Sequence, residues 1–404
     1  MASRQPKLKG ANSETARDIN RSLVLNAIRT RQPISRADLA RLTGLQRSTV
    51  SLIVEQLARE RWVVEGGVAH LPRGRKPRLL SLDIERAGII GVNIRPRATT
   101  VALSDLNGSF DFQESFPTPR EPQGLIKTLA TMIGRLVEVH SRKTFEGIGI
   151  SVPGRVDRTT GKLVFAPNLG WRNIDLKGEL EKATKIPVLV ENAANACALA
   201  ETWSGPFAGV QDLVAVTVSE GIGTGIIANG RLVRGPSGAA GEFGHVCIDP
   251  SGPPCNCGSR GCWEVYASNA AAVRAYNEDS PAGPASSRYR KSHAQASVED
   301  FRDLLSLADR GDIKACQVLE RMGLYLGHGL AMLINGLAPS VITIVGEVTR
   351  AWDRVGPVVQ KVVEERSRTH SITRIVPTDE VMQPRLRGTV ALVLQKHFQP
   401  NMFP

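Results

Sequence analysis

Residues 241–264 read GEFGHVCIDPSGPPCNCGSRGCWE. One imidazole, His245, and three thiols, Cys255, Cys257 and Cys262, alternate here with two carboxylates, Glu242 and Glu264. Those four residues make a closed tetrahedral Cys3His set, the donor combination of structural zinc. Gly258 and Gly261 let the short turn between Cys257 and Cys262 fold around an ion. A closed set leaves no position for a catalytic water, so the ion is expected to clamp the loop. The alternative is a run of loop cysteines without a metal. Cys197, Cys247 and Cys316 are read as small apolar residues, with Cys247 close enough to the loop to be a spare thiol.

Outward from this loop the chain alternates strands and helices. Apolar, β-branched runs at 88–94, 99–103, 147–152, 188–190, 213–218 and 341–345 read as strands, and Gly221 to Gly225 precede a further one. Helices are expected over 122–141, 194–202, 298–309, 352–368 and 388–398, and over 313–337 with a glycine-rich break. This is an α/β architecture of more than one lobe. The polar, Pro/Ser-rich segment 278–297 reads as a mobile loop.

The chain has 404 residues, is 42% hydrophobic and carries a net charge of +12. That length supports two or three domains with a sizeable core. No 18-residue apolar run and no hydrophobic leader occur, which points to a cytoplasmic protein. Six cysteines, three of them committed to the metal, are too few for a disulfide framework.

The charge is concentrated. Residues 1–85 hold 16 Lys/Arg against 8 Asp/Glu, so a fifth of the chain carries two-thirds of the surplus and points to a polyanionic partner. Ile19, Leu23, Ala27 and Ile28 recur at helical spacing and end before Pro33. Ser35 and Asp38 resemble a capping box, Leu39 and Leu42 supply a buried face, and Gly44 sits at a turn. A third helix over 46–60 buries Val50, Ile53, Val54 and Leu57, leaving Gln46, Arg47, Ser48, Thr49 and Ser51 to face outward. These residue types read base edges and phosphates, so this is a recognition helix. Residues 62–65 and 68–71 read as a hairpin turning at Gly66-Gly67, the wing. The following RGRKPR, 73–78, is either a basic linker or an extended arm placing Arg73 and Arg75 in an A·T-rich minor groove.

Taken together, SRADLARLTGLQRSTVSLIVEQL, GRKPRLLSL, ISVPGRVD, APNLGW, VENAANACALAE, SEGIGTGI, GEFGHV and CNCGSRGCWE make the chain resemble the ROK family (repressors, open reading frames and sugar kinases) along nearly its whole length. The resemblance implies a winged helix-turn-helix head over 1–72, a basic linker over 73–85, and a two-lobed actin-like, sugar-kinase-like domain with a zinc loop over 86–404. It also implies a homodimer or homotetramer. Family kinases carry an aspartate after the asparagine of the VENAA motif, as the base that takes the sugar hydroxyl's proton; here Ala193 stands there, and a methyl group accepts no proton. Where kinases carry a glycine-rich Asp-x-Gly-Gly-Thr hairpin toward ATP, this chain has Asn93-Ile94-Arg95-Pro96-Arg97. Only 221–225 remains as a phosphate cradle, on a weak pattern.

The family's sugar-binding positions are retained as Asn168, Asn192, Glu242, His245 and Glu264. Carboxylates and amides can serve several hydroxyls at once. Alternatively Glu242 and Glu264 merely brace the zinc loop. The expected function is a DNA-binding transcriptional regulator, a repressor, controlled by a sugar or sugar derivative in a non-catalytic domain and acting on an inverted-repeat operator with A·T-rich flanks. The rival readings are a sugar kinase that keeps a DNA-binding head and a protein-interaction module that has lost its small-molecule site.

Overall fold

The computed structural model describes residues 13–68, 78–157, 159–278, 298–367 and 373–398. The head begins with α1 (Ser13–Arg31), which buries Val24, Leu25, Ala27 and Ile28 and leaves Leu23, expected inside, turned to solvent. After the short β1 (Ile34–Ser35), Ser35 caps α2 (Arg36–Thr43): its Oγ accepts from the Asp38 amide at 3.2 Å. Gly44, at φ 71° in the left-handed region, ends that helix. Leu39 is buried, but Leu42 points outward. The third helix, α3 (Arg47–Arg59), buries the four expected residues.

The wing differs from the sequence reading. Strand β2 (Val63–Val68) runs straight through Gly66-Gly67 and pairs antiparallel with β3 (Arg78–Leu82), from Val63 opposite Leu82 to Val68 opposite Arg78. The glycines give an irregular register within the strand instead of a turn. The strand that pairs with β2 is therefore 78–82, read as linker, which belongs to the head's three-stranded sheet, while residues 69–71 of the expected return strand fall outside the described residues. The basic stretch thus lies within the hairpin's connection. Arg73 and Arg75 themselves fall outside the described residues.

The first lobe comprises β4 (Ala87–Ile94), β5 (Ala98–Ser104), β6 (Phe110–Pro117), α4 (Pro122–Val139), β7 (Thr144–Val152), β8 (Arg155–Val156), β9 (Leu163–Ala166), β10 (Trp171–Ile174), α5 (Leu176–Thr184), β11 (Val188–Asn192) and α6 (Ala193–Trp203). Its main sheet runs β11-β7-β4-β5-β6, parallel over the first three strands and antiparallel beyond. The second lobe follows with β12 (Leu213–Val218), β13 (Ile222–Ala228), β14 (Arg231–Leu232), α7 (Glu264–Ala267), α8 (Asn269–Asn277), α9 (Phe301–Asp309), α10 (Ile313–Leu337), β15 (Val341–Val345), α11 (Trp352–Arg366), β16 (Arg374–Pro377) and α12 (Pro384–Phe398). Its sheet, β14-β13-β12-β15-β16, repeats the same arrangement of hairpin and parallel strands. Helix α10 is continuous, without the expected glycine break; Gly329 instead makes room for the fully buried Trp263 ring. The mobile-loop reading falls mostly on 279–297, outside the described residues. Among the described residues no helix is long and apolar enough to cross a membrane.

Two helices hold the lobes together. α6 lies on β12 and β13, α12 lies on β4 and β7, and the helices pack against each other between the sheets. Small residues allow it: a side chain at Gly388 would strike the carbonyl oxygen of Ala196. The core of the head runs without interruption into this pair, through Trp62, Leu80, Trp203, Val390 and Phe398. At that seam the Trp62 ring lies 4.5 Å from His397 and meets Phe398 edge-on at 6.1 Å, while Arg86 covers its other side at 4.4 Å. Arg86 donates to Glu146 at 2.7 Å, and His397 Nε2 lies 2.9 Å from the same carboxylate, a close contact without good hydrogen-bond alignment. Burial raises the Glu146 pKa, but His397 and Arg86 outweigh it and hold the carboxyl below its usual range. Arg29 lies 4.0 Å over Trp203 and donates to its carbonyl oxygen at 2.8 Å; burial pulls this guanidinium down to about 10.

Candidate effector cleft, metal loop and recognition helix

The two sheets present the carboxyl ends of their parallel strands to one crevice, the usual place for a ligand in open α/β sheets. A cavity of about 510 Å³ there is lined by Asn168, Asn192, Ala193, Glu242, His245 and Glu264, so the five residues singled out for sugar contact converge with the substituted position. Each arrives by a different route. Asn192 ends β11 and caps α6: its Oδ1 accepts from the Ala194 and Asn195 amides at 2.8 and 3.4 Å, and its Nδ2 donates to the Gly154 carbonyl at 2.7 Å. That leaves one amide hydrogen for a ligand. Ala193 is the first residue of α6.

Glu264 opens α7 and holds three things together. Its Oε2 accepts from the Ile222 amide at 3.4 Å, while Oε1 lies 3.1 Å from Cys255 Sγ and 3.4 Å from His245 Nδ1. Glu242 is freer, with 46% of its side chain open to the cleft and Oε2 3.8 Å from His245 Nε2. The protein crowding its inner side desolvates it enough to raise its pKa, against the pull of His245 and Arg155. The bracing alternative therefore describes Glu264 well and Glu242 poorly.

His245, Cys255, Cys257 and Cys262 bring their ligand atoms within 4.8 Å of one another. Cys257 and Cys262 sulfurs are 3.7 Å apart, and Cys255 Sγ lies 3.6 Å from His245 Nδ1. A tetrahedron with metal–sulfur arms of about 2.3 Å has edges of about 3.8 Å, so the donor set fits a four-coordinate cation. Nδ1 faces the cluster, which leaves Nε2 toward Glu242 and the cleft. Such an ion would tie the Cys255–Cys262 turn to His245, and Trp263, donating to the Tyr325 carbonyl at 2.9 Å, anchors the turn on α10. Cys247, read as a small apolar residue or a spare thiol near the loop, is free and exposed.

A second cavity of about 680 Å³ adjoins the first and contains Arg95, Pro96 and Arg97 from the β4–β5 turn. Arg97 crosses to the second lobe and donates to Asp300 Oδ2 at 2.7 Å. The glycines considered as a phosphate cradle have another purpose. Gly223 and Gly225 lie within β13, where a side chain would collide with Ala194, and one at Gly221 would meet Glu264.

On the head, Gln46 precedes α3 as its cap residue, and Gln46, Arg47 and Ser48 are exposed, with Thr49 and Ser51 half-buried beside them. Sequence reasoning missed Leu52, which is 67% exposed on the same face. An apolar residue one turn after Ser48 was the available signal.

The profile of the ROK family matches residues 89–396. The chain belongs to the ROK family. It is 34% identical to the xylose repressor of Bacillus subtilis (strain 168) over 337 residues, 83% of each chain. A crystal structure of a ROK family transcriptional regulator, a homologue of the E. coli MLC protein, superimposes with a TM-score of 0.78 at 27% identity, covering 95% of this chain and 98% of that one. A ROK glucokinase from Streptomyces griseus, in complex with glucose and AMPPNP, matches with a TM-score of 0.66 at 28% identity. It covers 76% of this chain and 100% of its own. The ROK kinase thus accounts for the two lobes, and the ROK regulator for the head as well.

Proposed function

We infer that this ROK protein is a sugar-responsive transcriptional repressor, whose head binds operator DNA and whose cleft binds the effector without phosphorylating it. Ala193 carries the reading. It stands in the cleft among Asn168, Asn192, Glu242, His245 and Glu264, where a proton acceptor is needed for transfer to a sugar hydroxyl. General-base assistance is worth about 10²–10⁴ in rate, and a methyl group provides none. Arg95, Pro96 and Arg97 add bulk on the neighbouring side, supporting the loss of nucleotide chemistry. The resemblance to the xylose repressor and to the Mlc-like regulator supports the same conclusion.

In this reading Gln46, Arg47, Ser48, Thr49 and Ser51 read the major groove, and Arg73 and Arg75 enter the flanking minor groove. The protein works in the cytoplasm as a symmetric oligomer on an inverted repeat. The zinc held by His245, Cys255, Cys257 and Cys262 fixes the imidazole so that Nε2 faces the effector. Ligand closure of the lobes shifts a two-state equilibrium, and α6 and α12 carry the change to the head.

The test is operator binding by fluorescence anisotropy against a sugar panel, beside a coupled assay for ATP turnover with the same sugars. Operator release without turnover is expected. The glucokinase likeness favours a second reading, a kinase with a DNA-binding head, and enzyme-like phosphate transfer would establish it instead. Restoring the carboxylate with Ala193→Asp should leave turnover negligible, because Arg95-Pro96-Arg97 is unchanged.

A further inference from the structure

The loop that carries the four donor residues holds a fifth sulfur. Cys247 is free and exposed, and it is not among the four whose ligand atoms lie within 4.8 Å of one another. Its place in the fold is fixed opposite one of them. Cys247 and Cys262 face each other in an isolated antiparallel bridge, flanked by bonds from the Ile248 amide to the Gly261 carbonyl at 2.8 Å and from the Trp263 amide to the Val246 carbonyl at 2.9 Å. Those bonds lie on either side of the pair and none joins it. This is the narrow, non-hydrogen-bonded kind of pairing, with α-carbons about 4.5 Å apart and both side chains on one face. A disulfide spans α-carbon separations of about 4.4–6.8 Å. The close approach is built in: a side chain at Gly261 would strike the Asp249 carbonyl oxygen, and the Asp249 carboxylate accepts from Tyr266 Oη at 2.9 Å. On its other side, Cys262 Sγ lies 3.7 Å from Cys257 Sγ, inside the cluster.

We propose that Cys247 is an oxidative modification site, which takes oxygen from a hydroperoxide and passes the oxidation to Cys262 as a disulfide, opening the metal cluster. The proposal rests on the metal reading of His245, Cys255, Cys257 and Cys262. In the first step the Cys247 thiol attacks hydrogen peroxide; the O–O bond breaks, the sulfur becomes a sulfenic acid and water leaves. In the second the Cys262 thiolate attacks that sulfur; the S–S bond forms, the S–O bond breaks and hydroxide leaves. Two electrons pass from the sulfurs to the peroxide, and an ion at the cluster is left with three ligands. Exposure makes Cys247 the first sulfur to react. Cys262 is fully buried, and Cys257, though exposed, belongs to the ligand set. The same loop supplies Glu242, His245 and Glu264 to the cleft, so oxidation would release the His245 ring from the ion that orients it and loosen the effector site.

The experiment treats the full chain, purified under reducing conditions and then freed of reductant, with hydrogen peroxide. Zinc release is followed with a chromogenic chelator. Disulfides are mapped by mass spectrometry after cleavage before Asp249 and after Arg260, which puts Cys247, Cys255 with Cys257, and Cys262 on three separate peptides. Zinc release should keep pace with a Cys247–Cys262 link, and dithiothreitol should break that link and restore metal uptake. Cys247→Ser keeps all four ligands, so its zinc content should match the wild type while its release rate falls at least about fivefold; Cys316→Ser should change neither. Release at the wild-type rate from Cys247→Ser, or links confined to Cys255, Cys257 and Cys262, overturns the proposal and leaves the metal site standing. An intermolecular Cys247–Cys247 link in place of the internal one overturns it too. If the purified chain holds no metal, the metal reading falls and the disulfide map alone decides: a Cys247–Cys262 link upholds the modification site, and its absence removes it.

Discussion

Asn192 and Glu242 both line the cleft, yet their side chains have different obligations. Asn192 spends three of its bonds capping α6 and holding the Gly154 loop, so Asn192→Ala should lower stability by about 1 kcal/mol, the usual cost of a lost cap, in thermal or urea unfolding. Glu242 supports no comparable network. Glu242→Ala should leave the unfolding midpoint nearly unchanged and abolish operator release by effector, measured by anisotropy. Convergence of the cleft residues was legible in the motifs because each motif ends a strand or opens a helix at the same crevice. The double role of Asn192 was not legible, since capping depends on where β11 stops. The His/Cys cluster that could hold a metal was fully legible, because four donors within 18 residues meet through local turns alone. Cys257→Ser should drop bound zinc from about one per chain to near zero by elemental analysis and loosen the loop.

At the scale of elements, the third helix and its buried face were read correctly because burial follows from helical periodicity, while the turn at Gly66-Gly67 was misread because two glycines look alike in a turn and in an irregular strand. The strand that completes the wing, Arg78–Leu82, shows its role in the inward Leu80 and Leu82, but the basic residues before it drew it toward a linker. On α3, Leu52 is exposed beside the residues proposed to read DNA, and an aliphatic side chain there would suit a thymine methyl. Arg47→Ala should relax base preference at one position of each half-site, and Leu52→Ala should cut discrimination between thymine and cytosine at a neighbouring one. Binding to a library of single-base operator variants checks both, and uniform losses across the library would count against direct readout.

Across the whole molecule, the lobes repeat one strand order, a likeness invisible in the residues because their sequences share only the apolar, β-branched texture of buried strands. The seam between head and body was equally hidden, since it joins Trp62, Arg86, Glu146 and His397 across more than 300 positions. The depressed Glu146 pKa gives this seam a pH dependence. A carboxylate lowered in the folded state contributes its full stabilisation above the ordinary value of 4.5 and loses it as pH falls through the depressed value. Unfolding midpoints recorded from pH 6 down to pH 3 should therefore fall more steeply for the wild type than for Glu146→Gln. Parallel curves would remove Glu146 from the account of the seam.

Helix α12 has 15 residues, so it is about 22 Å long at 1.5 Å per residue. Its amino end lies in the cleft, and its carboxyl end carries the aromatic contacts of the head. A rigid bar of that length turns a tilt of about 5° at one end into a displacement of about 2 Å at the other. In a twofold-symmetric pair both heads would swing at once, and recognition helices must match half-sites set one DNA turn, about 34 Å, apart. Misalignment by a few ångströms is enough to break hydrogen bonds to base edges, whose reach is only about 3 Å. A small ligand can then dislodge a large complex by leverage, without melting any part of the protein.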